Sequence, residues 1–361
     1  MDYNEIPLPT EAPGEEPVPT VENNAELFGK FIEEVNKNKA LKPLNMGFPI
    51  LQQNIIAALS SGLIALGAAP SAGKTAFIMQ AAYSIATQSG RDVLIFALEM
   101  SRNELIARDL SRLTYQLGEG RTAAELLRGS TFDSGVQVDF TKKQQEVITK
   151  AATEYKALAG KHIYIFESTG ELKASDVDRI ARKFTKDHGA APVIFLDYLQ
   201  LLSPEDPRAD ERRGVTQSVI LFKNLSRDLQ TPVFVISATA RTNYYNSDPE
   251  GFGKESGTLE YSADTTLFMQ YAACYEEQQA RGDRDKAREE AAKAAAAEDN
   301  RDIIISIIKN RAGRRNVRIR YEYTARYNIF KEKGLYIKPQ SQGTGSKKSK
   351  RAANDDEDYD F

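Results

Sequence analysis

Three short stretches carry side chains able to do chemistry together. The first, Gly62 to Thr75, reads G-L-I-A-L-G-A-A-P-S-A-G-K-T, and a helical pattern follows from Ala76 to Thr87. An apolar strand, a turn of small residues around Pro70 and a helix opened by Gly73-Lys74-Thr75 make an anion cradle. Successive backbone N–H groups and the positive end of the helix then face one concave site. A triphosphate fits it. The backbone of Ala69, Pro70, Ser71, Ala72, Gly73 and Ala76 would line it, Lys74 would reach the β- and γ-phosphates, and Thr75 would hold Mg²⁺. In the pattern G-x-x-x-x-G-K-[ST] the first glycine falls on Ala68, with Gly67 one place early.

The other two stretches are acids that end apolar runs. Asp197 follows V-I-F-L and is placed to hold Mg²⁺ through its water shell, while Glu99 follows L-I-F-A-L and is placed as a general base toward an attacking water. Either acid alone would equally well end a strand in solvent. Two of them behind a phosphate cradle, at the strand ends where ligands of open parallel sheets sit, point to hydrolysis.

Seven apolar runs must position these groups: Leu63–Leu66, Asp92–Ala97, Lys161–Phe166, Pro192–Leu196, Pro232–Ser237, Leu267–Tyr271 and Ile303–Ile308. Helical patterns alternate with them, among them Ser101 onward with Glu104 as a capping box, the face Val177, Ile180, Ala181 and Phe184, and Thr216–Leu229. Strands alternating with helices predict an α/β fold, a mostly parallel sheet with helices on both faces. Residues 116–150 read as helices and loops without clear order. Glu276 to Asn300, rich in Ala, Glu, Lys and Arg, reads as a solvated helical insertion weakened at Gly282.

Residues 1–24 are acidic and proline-rich and read as disordered. Residues 25–43 hold an amphipathic helix, with Leu27, Phe28, Phe31, Ile32 and Val35 on one face. The folded domain runs from 44 to 339, and 340–361 is a flexible tail ending D-D-E-D-Y-D-F. Residues 1–26 carry seven acids and no Lys or Arg, so the formal charge of −3 becomes +4 for the remainder, which permits a polyanionic partner. One cysteine, Cys274, and two histidines, His162 and His188, exclude an internal disulfide and a Cys- or His-rich metal site. Cys274 reads as a buried small residue and His188 as a helix-end residue. No signal peptide and no membrane-length apolar run is present, so a cytoplasmic protein without membrane contact is expected.

The series A-x-P-S-x-G-K-T, L-E-M-S, L-D-Y-L-Q-L-L, E-S-G-T-L-E-Y-S-A-D and I-I-K-N-R-A-G, from Leu44 to Leu335, resembles the C-terminal RecA-like motor domain of DnaB-type replicative helicases. Ala68 is ordinary in that family. The resemblance implies a RecA-like P-loop NTPase with ATP and Mg²⁺ as cofactors, a homo-oligomer, usually a hexamer, and ATP-driven movement on single-stranded DNA in bacterial, phage or mobile-element replication. It implies Lys74 and Thr75 as the phosphate-loop pair, Glu99 as catalytic glutamate, and Asp197 with Gln200 at the nucleotide. Lys309 and Arg311 would be the pair inserted into the neighbouring subunit's site, the arginine finger among them. A basic surface turn at Lys309 to Arg315 is the plainer alternative.

Two loops would face the pore of such a ring: Ser203–Gly214 with Arg208, Arg212 and Arg213, and Thr242–Thr258 with Tyr244, Tyr245 and Lys254. Where the family carries S-Q-L-N-R, this chain reads Ser237-Ala238-Thr239-Ala240-Arg241, so the γ-phosphate-sensing glutamine is replaced by Ala238. The family's N-terminal helical domain is expected to be missing, its place taken by acidic residues and the 25–43 helix, a linker-type helix by resemblance. The acidic Phe-terminated tail resembles the tips of bacterial single-strand-binding proteins and could dock a primase, a loader or another replisome protein, or merely aid solubility. Two other readings stay open: a RecA- or KaiC-like ATPase of recombination or regulation, and a non-hydrolysing, nucleotide-dependent scaffold or helicase accessory.

Overall fold

A computed structural model of the chain describes residues 23–39, 43–69, 71–130, 140–168, 170–237, 257–276 and 284–337. It divides into two compact units at Pro43/Leu44. The first holds helix α1 (Asn24–Lys39), opened by Asn23, whose Oδ1 accepts from the Ala25 N–H at 3.0 Å. That cap starts the helix earlier than its apolar stripe does. Leu27, Phe28, Phe31 and Ile32 of the stripe are exposed.

In the second unit the elements run α2 (Pro49–Asn54), α3 (Ala58–Ser61), β1 (Leu63–Ala68), α4 (Lys74–Ser84), β2 (Val93–Ala97), α5 (Arg102–Gln116), α6 (Ala123–Ser130), α7 (Lys142–Ala157), β3 (Ile163–Glu167), α8 (Ala174–His188), β4 (Val193–Asp197), α9 (Glu211–Asp228), β5 (Val233–Ser237), α10 (Gly257–Ser262), β6 (Thr265–Tyr271), α11 (Ala273–Glu276), α12 (Arg284–Ala297), β7 (Asn300–Asn310), β8 (Val317–Thr324) and β9 (Ile329–Leu335). One sheet takes the order β3-β2-β4-β5-β1-β6-β7-β8-β9. It is parallel from β3 to β6 and antiparallel from β6 to β9.

The apolar runs become parallel strands because both their faces are covered. Alternate residues go to opposite cores. On one face Ile64, Leu66, Val93, Ile95, Val193, Phe195, Phe234 and Ile236 meet α2, α4 and α5, with Phe48 stacked on Phe77 at 4.5 Å. On the other, Leu63, Ala65, Leu94, Phe96, Ile194, Leu196, Val233 and Val235 meet α8 and α9 through Val177, Phe184, Val219 and Phe222. Each fully buried Phe of this kind contributes roughly 1.5–3 kcal/mol relative to exposure, so the strand ends are rigid places to mount a site.

Strands β8 and β9 have no counterpart among the apolar runs of the sequence. The pattern of β8 alternates: Ile319, Tyr321 and Tyr323 are buried while Arg320 and Glu322 are exposed, the signature of an antiparallel strand covered on one face. The insertion forms α12, yet it is not solvated all round. Ala292 is buried, and Ala295 and Ala296 pack on the main core, because alanines three and four apart make a thin apolar stripe. Helix α9 starts five residues before its apolar pattern, since Asp210 caps it by accepting from the Arg213 N–H at 2.7 Å. His188 closes α8 with its ring stacked on Phe184 at 3.8 Å. The Cys274 thiol is buried, which pushes its pKa up to about 11 and leaves it inert. Among the described residues no helix is long and apolar enough to cross a membrane.

Candidate functional site

The loop between β1 and α4 turns on two residues with positive φ, Ser71 at 57° and Gly73 at 95°. Gly73 caps α4 in a left-handed conformation, and a Cβ there would lie 2.6 Å from Cε1 of Tyr323 and 2.9 Å from Cζ of Phe330. Glycine is required on both counts. The start of the loop is tied to the sheet by the Ala69 N–H donating to the Met269 carbonyl at 3.0 Å. Of the expected cradle, Pro70 lies outside the described residues, and Ala69, Ser71, Ala72, Gly73, Lys74, Thr75 and Ala76 form the turn and the first helical turn.

The end of β4 meets the start of α4, and the ends of β2 and β5 are tied to β4 and to the segment after it. Thr75 Oγ1 donates to Asp197 Oδ2 at 2.7 Å, joining the helix start to the last residue of β4. The Leu98 N–H donates to the Asp197 carbonyl at 3.0 Å, so Glu99 follows β2 directly beside Asp197. Gln200 Nε2 donates to Ser237 Oγ at 2.9 Å and so binds the segment after β4 to the end of β5. Ala238, next in the chain, lies outside the described residues, as do Thr239 and Arg241.

Burial decides the electrostatics. Desolvation lowers the Lys74 pKa below the usual lysine value, opposed by the charges of Asp197 and Glu99. Desolvation also raises the Asp197 carboxyl; Glu99 adds to that, while Thr75, Lys74 and Arg108 oppose it. The second oxygen of Asp197, Oδ1, is buried without a hydrogen-bond partner. A buried acceptor beside a threonine hydroxyl suits a hydrated Mg²⁺, whose remaining ligands would be waters and phosphate oxygens. Among the described residues no cluster of three or more His, Cys, Asp or Glu could hold a metal by itself.

Lys309 and Arg311 lie elsewhere. Because β7 runs antiparallel to β6, Asn310 pairs with Thr265, and Thr265 pairs with Ile64 at the amino end of β1. The two cations therefore sit at the opposite edge of the sheet from Lys74, roughly 17 Å away along β1 at about 3.3 Å per residue. Lys309 Nζ donates to the Tyr261 carbonyl at 2.7 Å and Arg311 Nη2 to the same oxygen at 3.2 Å, while Arg311 Nη1 lies 3.7 Å from Asp264 Oδ1.

Arg208, expected in a pore loop, is exposed in a turn where its N–H donates to Asp206 Oδ1 at 2.9 Å. Arg212 and Arg213, expected in that loop too, stand instead in the first turn of α9, exposed, because the Asp210 cap draws them into the helix. Lys254, Tyr244 and Tyr245 lie outside the described residues. Two groups near the site escape sequence reading. Arg108 on α5 is half-buried and lowers the Asp197 pKa by its charge; its only signal is its place one turn after Glu104. Arg301 on β7 donates from Nη1 to the Ser71 carbonyl at 2.6 Å, a contact across 230 residues with no local signature.

A family model for the DnaB-like helicase C terminal domain matches residues 44–332. The chain belongs to that family. It is 29% identical over 238 residues to a replicative DNA helicase DnaB of Geobacillus stearothermophilus, covering 65% of this chain and 48% of that protein. It is 28% identical over 243 residues to the replicative DNA helicase DnaC of Bacillus subtilis, covering 66% and 49%. A probable plasmid replicative DNA helicase of Chlamydia psittaci is 24% identical over 245 residues, covering 66% and 49%. The chain thus spans about half the length of the curated relatives it matches.

Solved structures share the fold. One of them, an ATPase domain, superposes with a TM-score of 0.66 at 20% identity, covering 86% of this chain and 99% of that one. A DnaB-like replicative helicase, described with its interactions with primase, gives 0.63 at 20% identity, covering 86% and 67%. The α/β sheet described above is accordingly RecA-like.

Proposed function

We propose that this chain is the motor of a DNA helicase: an ATP hydrolase that assembles into a ring, a hexamer by family resemblance, and moves along single-stranded DNA. The observation that carries the reading is the division of the site between two edges of one sheet. Lys74, Thr75, Glu99 and Asp197 gather at the carboxyl edge, and Lys309 and Arg311 stand at the amino edge, out of reach of their own phosphate loop. A second copy stacked edge to edge brings the two halves together, as a heterologous ring requires.

In such a pair each residue has one task. The loop N–H groups and Lys74 bind the β- and γ-phosphates. Thr75 and Asp197 hold Mg²⁺, which neutralises phosphate charge when bound. Glu99 takes the proton of the attacking water. Arg311, with Lys309, stabilises the charge that develops on the transferred phosphate, so turnover depends on the neighbour's position. Gln200, bonded to the end of β5, links the nucleotide to the segment leading to the pore loops. Three arginines at and before the amino end of α9, Arg208, Arg212 and Arg213, add to the positive end of that helix and attract a DNA backbone; Lys254 serves the second loop. By the same resemblance the protein works in the cytoplasm, with a primase or a helicase loader as further partners, the acidic tail being their docking segment.

The test is ATP hydrolysis with and without single-stranded DNA. The reading expects several-fold stimulation by DNA in the wild type and a loss of roughly 10²–10⁴ in Glu99→Gln. Equal, negligible rates in both would favour the nucleotide-dependent scaffold, and filaments without directional unwinding the RecA-like alternative.

A further inference from the structure

Against the phosphate loop a row of three side chains crosses the antiparallel strands. Arg301 of β7 pairs with Tyr323 of β8, which pairs with Phe330 of β9. The rings of Tyr323 and Phe330 stack at 4.1 Å and press on Gly73. The Arg301 guanidinium stands 5.8 Å above the Tyr323 ring. Its Nη1 donates to the Ser71 carbonyl at 2.6 Å and its Nε to the Glu298 carbonyl, just past the end of α12, at 2.9 Å.

The chemistry of this contact is one-sided. A loop that turns its N–H groups toward an anion must turn carbonyls the other way, and a carbonyl facing backward is a cost unless a donor meets it. Ser71 adopts a left-handed φ without being glycine, so its conformation needs support from outside the loop. Arg301 supplies a charged donor there. The fork of its guanidinium bridges the loop to the carboxyl end of α12, where a cation is favoured by the helix dipole. Helix α12 is itself seated on the core by Ala292, Ala295 and Ala296.

The geometry points to Arg301 as a positioning residue for the phosphate-binding loop, holding the Ser71 carbonyl and anchored at the carboxyl end of α12. The affinity of the loop for phosphate thereby depends on the seat of α12. This rests on the nucleotide-site reading above.

The experiment measures, on the full chain, binding of Mg-ATP and of Mg-tripolyphosphate, with the thermal midpoint and steady-state ATP hydrolysis, for wild type, Arg301→Gln and Arg301→Lys. Positioning through the Ser71 carbonyl predicts that Arg301→Gln weakens both ligands by the same factor, about tenfold, and raises KM by that factor with kcat within about twofold. Lysine recovers part of the loss, since one ammonium reaches the carbonyl without bridging to α12. A loss confined to ATP would overturn the inference, because it would mean that Arg301 touches the base. Unchanged affinity for both ligands with a lowered midpoint would overturn it too, leaving a purely structural arginine. If Arg301→Gln does not fold, the same comparison on Arg301→Lys decides. A wild-type chain that binds neither ligand would overturn the nucleotide reading itself, an outcome separate from all of these.

Discussion

The two edges of the sheet treat charge in opposite ways. At the carboxyl edge of the parallel strands Lys74 and Asp197 are desolvated, both pKa values are displaced toward the neutral forms, and one carboxylate oxygen is left without a partner. At the amino edge Arg311 is exposed and, with Lys309, rests on the backbone carbonyl of Tyr261. The first edge is poised for a ligand that brings negative charge and a cation. The second keeps its cations near water, where they can be redirected at little cost. On the proposed function, a site divided this way would gain its electrostatics only when two copies meet, and hydrolysis would report on assembly.

The largest expected effect breaks that pairing from the exposed edge. Arg311→Ala should lower ATP turnover by about 10³-fold or more while leaving ATP affinity within about twofold, because the proposed finger would act in the transition state of a neighbouring site. Turnover and equilibrium binding measured on the same preparation check it. A fall in affinity with turnover preserved would instead put Arg311 in ground-state binding.

A smaller effect should follow from the buried edge. Gly73→Ala forces a left-handed φ on alanine and drives its Cβ into the Tyr323 and Phe330 rings. A cost of roughly 2–4 kcal/mol is expected, from strain and overpacking together. Chemical denaturation reads it. An unchanged midpoint would show that the loop moves off those rings without penalty.

The subtlest expectation concerns pH. Asp197 is held above the ordinary aspartate value by burial, and must lose its proton to hold Mg²⁺. Affinity for Mg-ATP should therefore begin to fall, as pH is lowered, at a higher pH than an ordinary carboxylate would give. Lys74 is lowered by burial, so on the alkaline side affinity should fall before an ordinary lysine would lose its charge. The sign for stability differs. In the acid window the folded, ligand-free chain keeps a proton on Asp197 that the unfolded chain has lost, so stability declines slightly as pH rises through it. Binding titrations across pH test the narrowing; an acid limb at the ordinary aspartate value would contradict it.

What can be read from the sequence follows the same division. The parallel strands are legible because burial on both faces writes them as unbroken apolar runs, and Asp197 and Glu99 stand where those runs end. The loop is legible because its backbone needs small residues in a fixed order. Strands β8 and β9 are not, since charged residues such as Arg320 and Glu322 interrupt them on the solvent side and the alternation looks merely polar. The start of α9 is hidden because its cap, Asp210, lies within a charged run that reads as loop. Arg301 carries no local mark, and Arg108 only its place one turn after Glu104. Their meaning comes from strand register and helix packing, which place Arg301 on the Ser71 carbonyl and Arg108 near Asp197.

Mixing two inactive variants tests the divided site most directly. Lys74→Ala lacks the phosphate half and Arg311→Ala lacks the trans half, and each alone should hydrolyse ATP negligibly. Combined in equal amounts and allowed to reassemble, they create interfaces in which the loop of one chain meets the arginine of the other, about a quarter of all interfaces in a random ring. Recovery of ATP hydrolysis to that order, relative to wild type, is the result the account predicts. A mixture as inactive as its components, with mixed oligomers verified by mass, would contradict it.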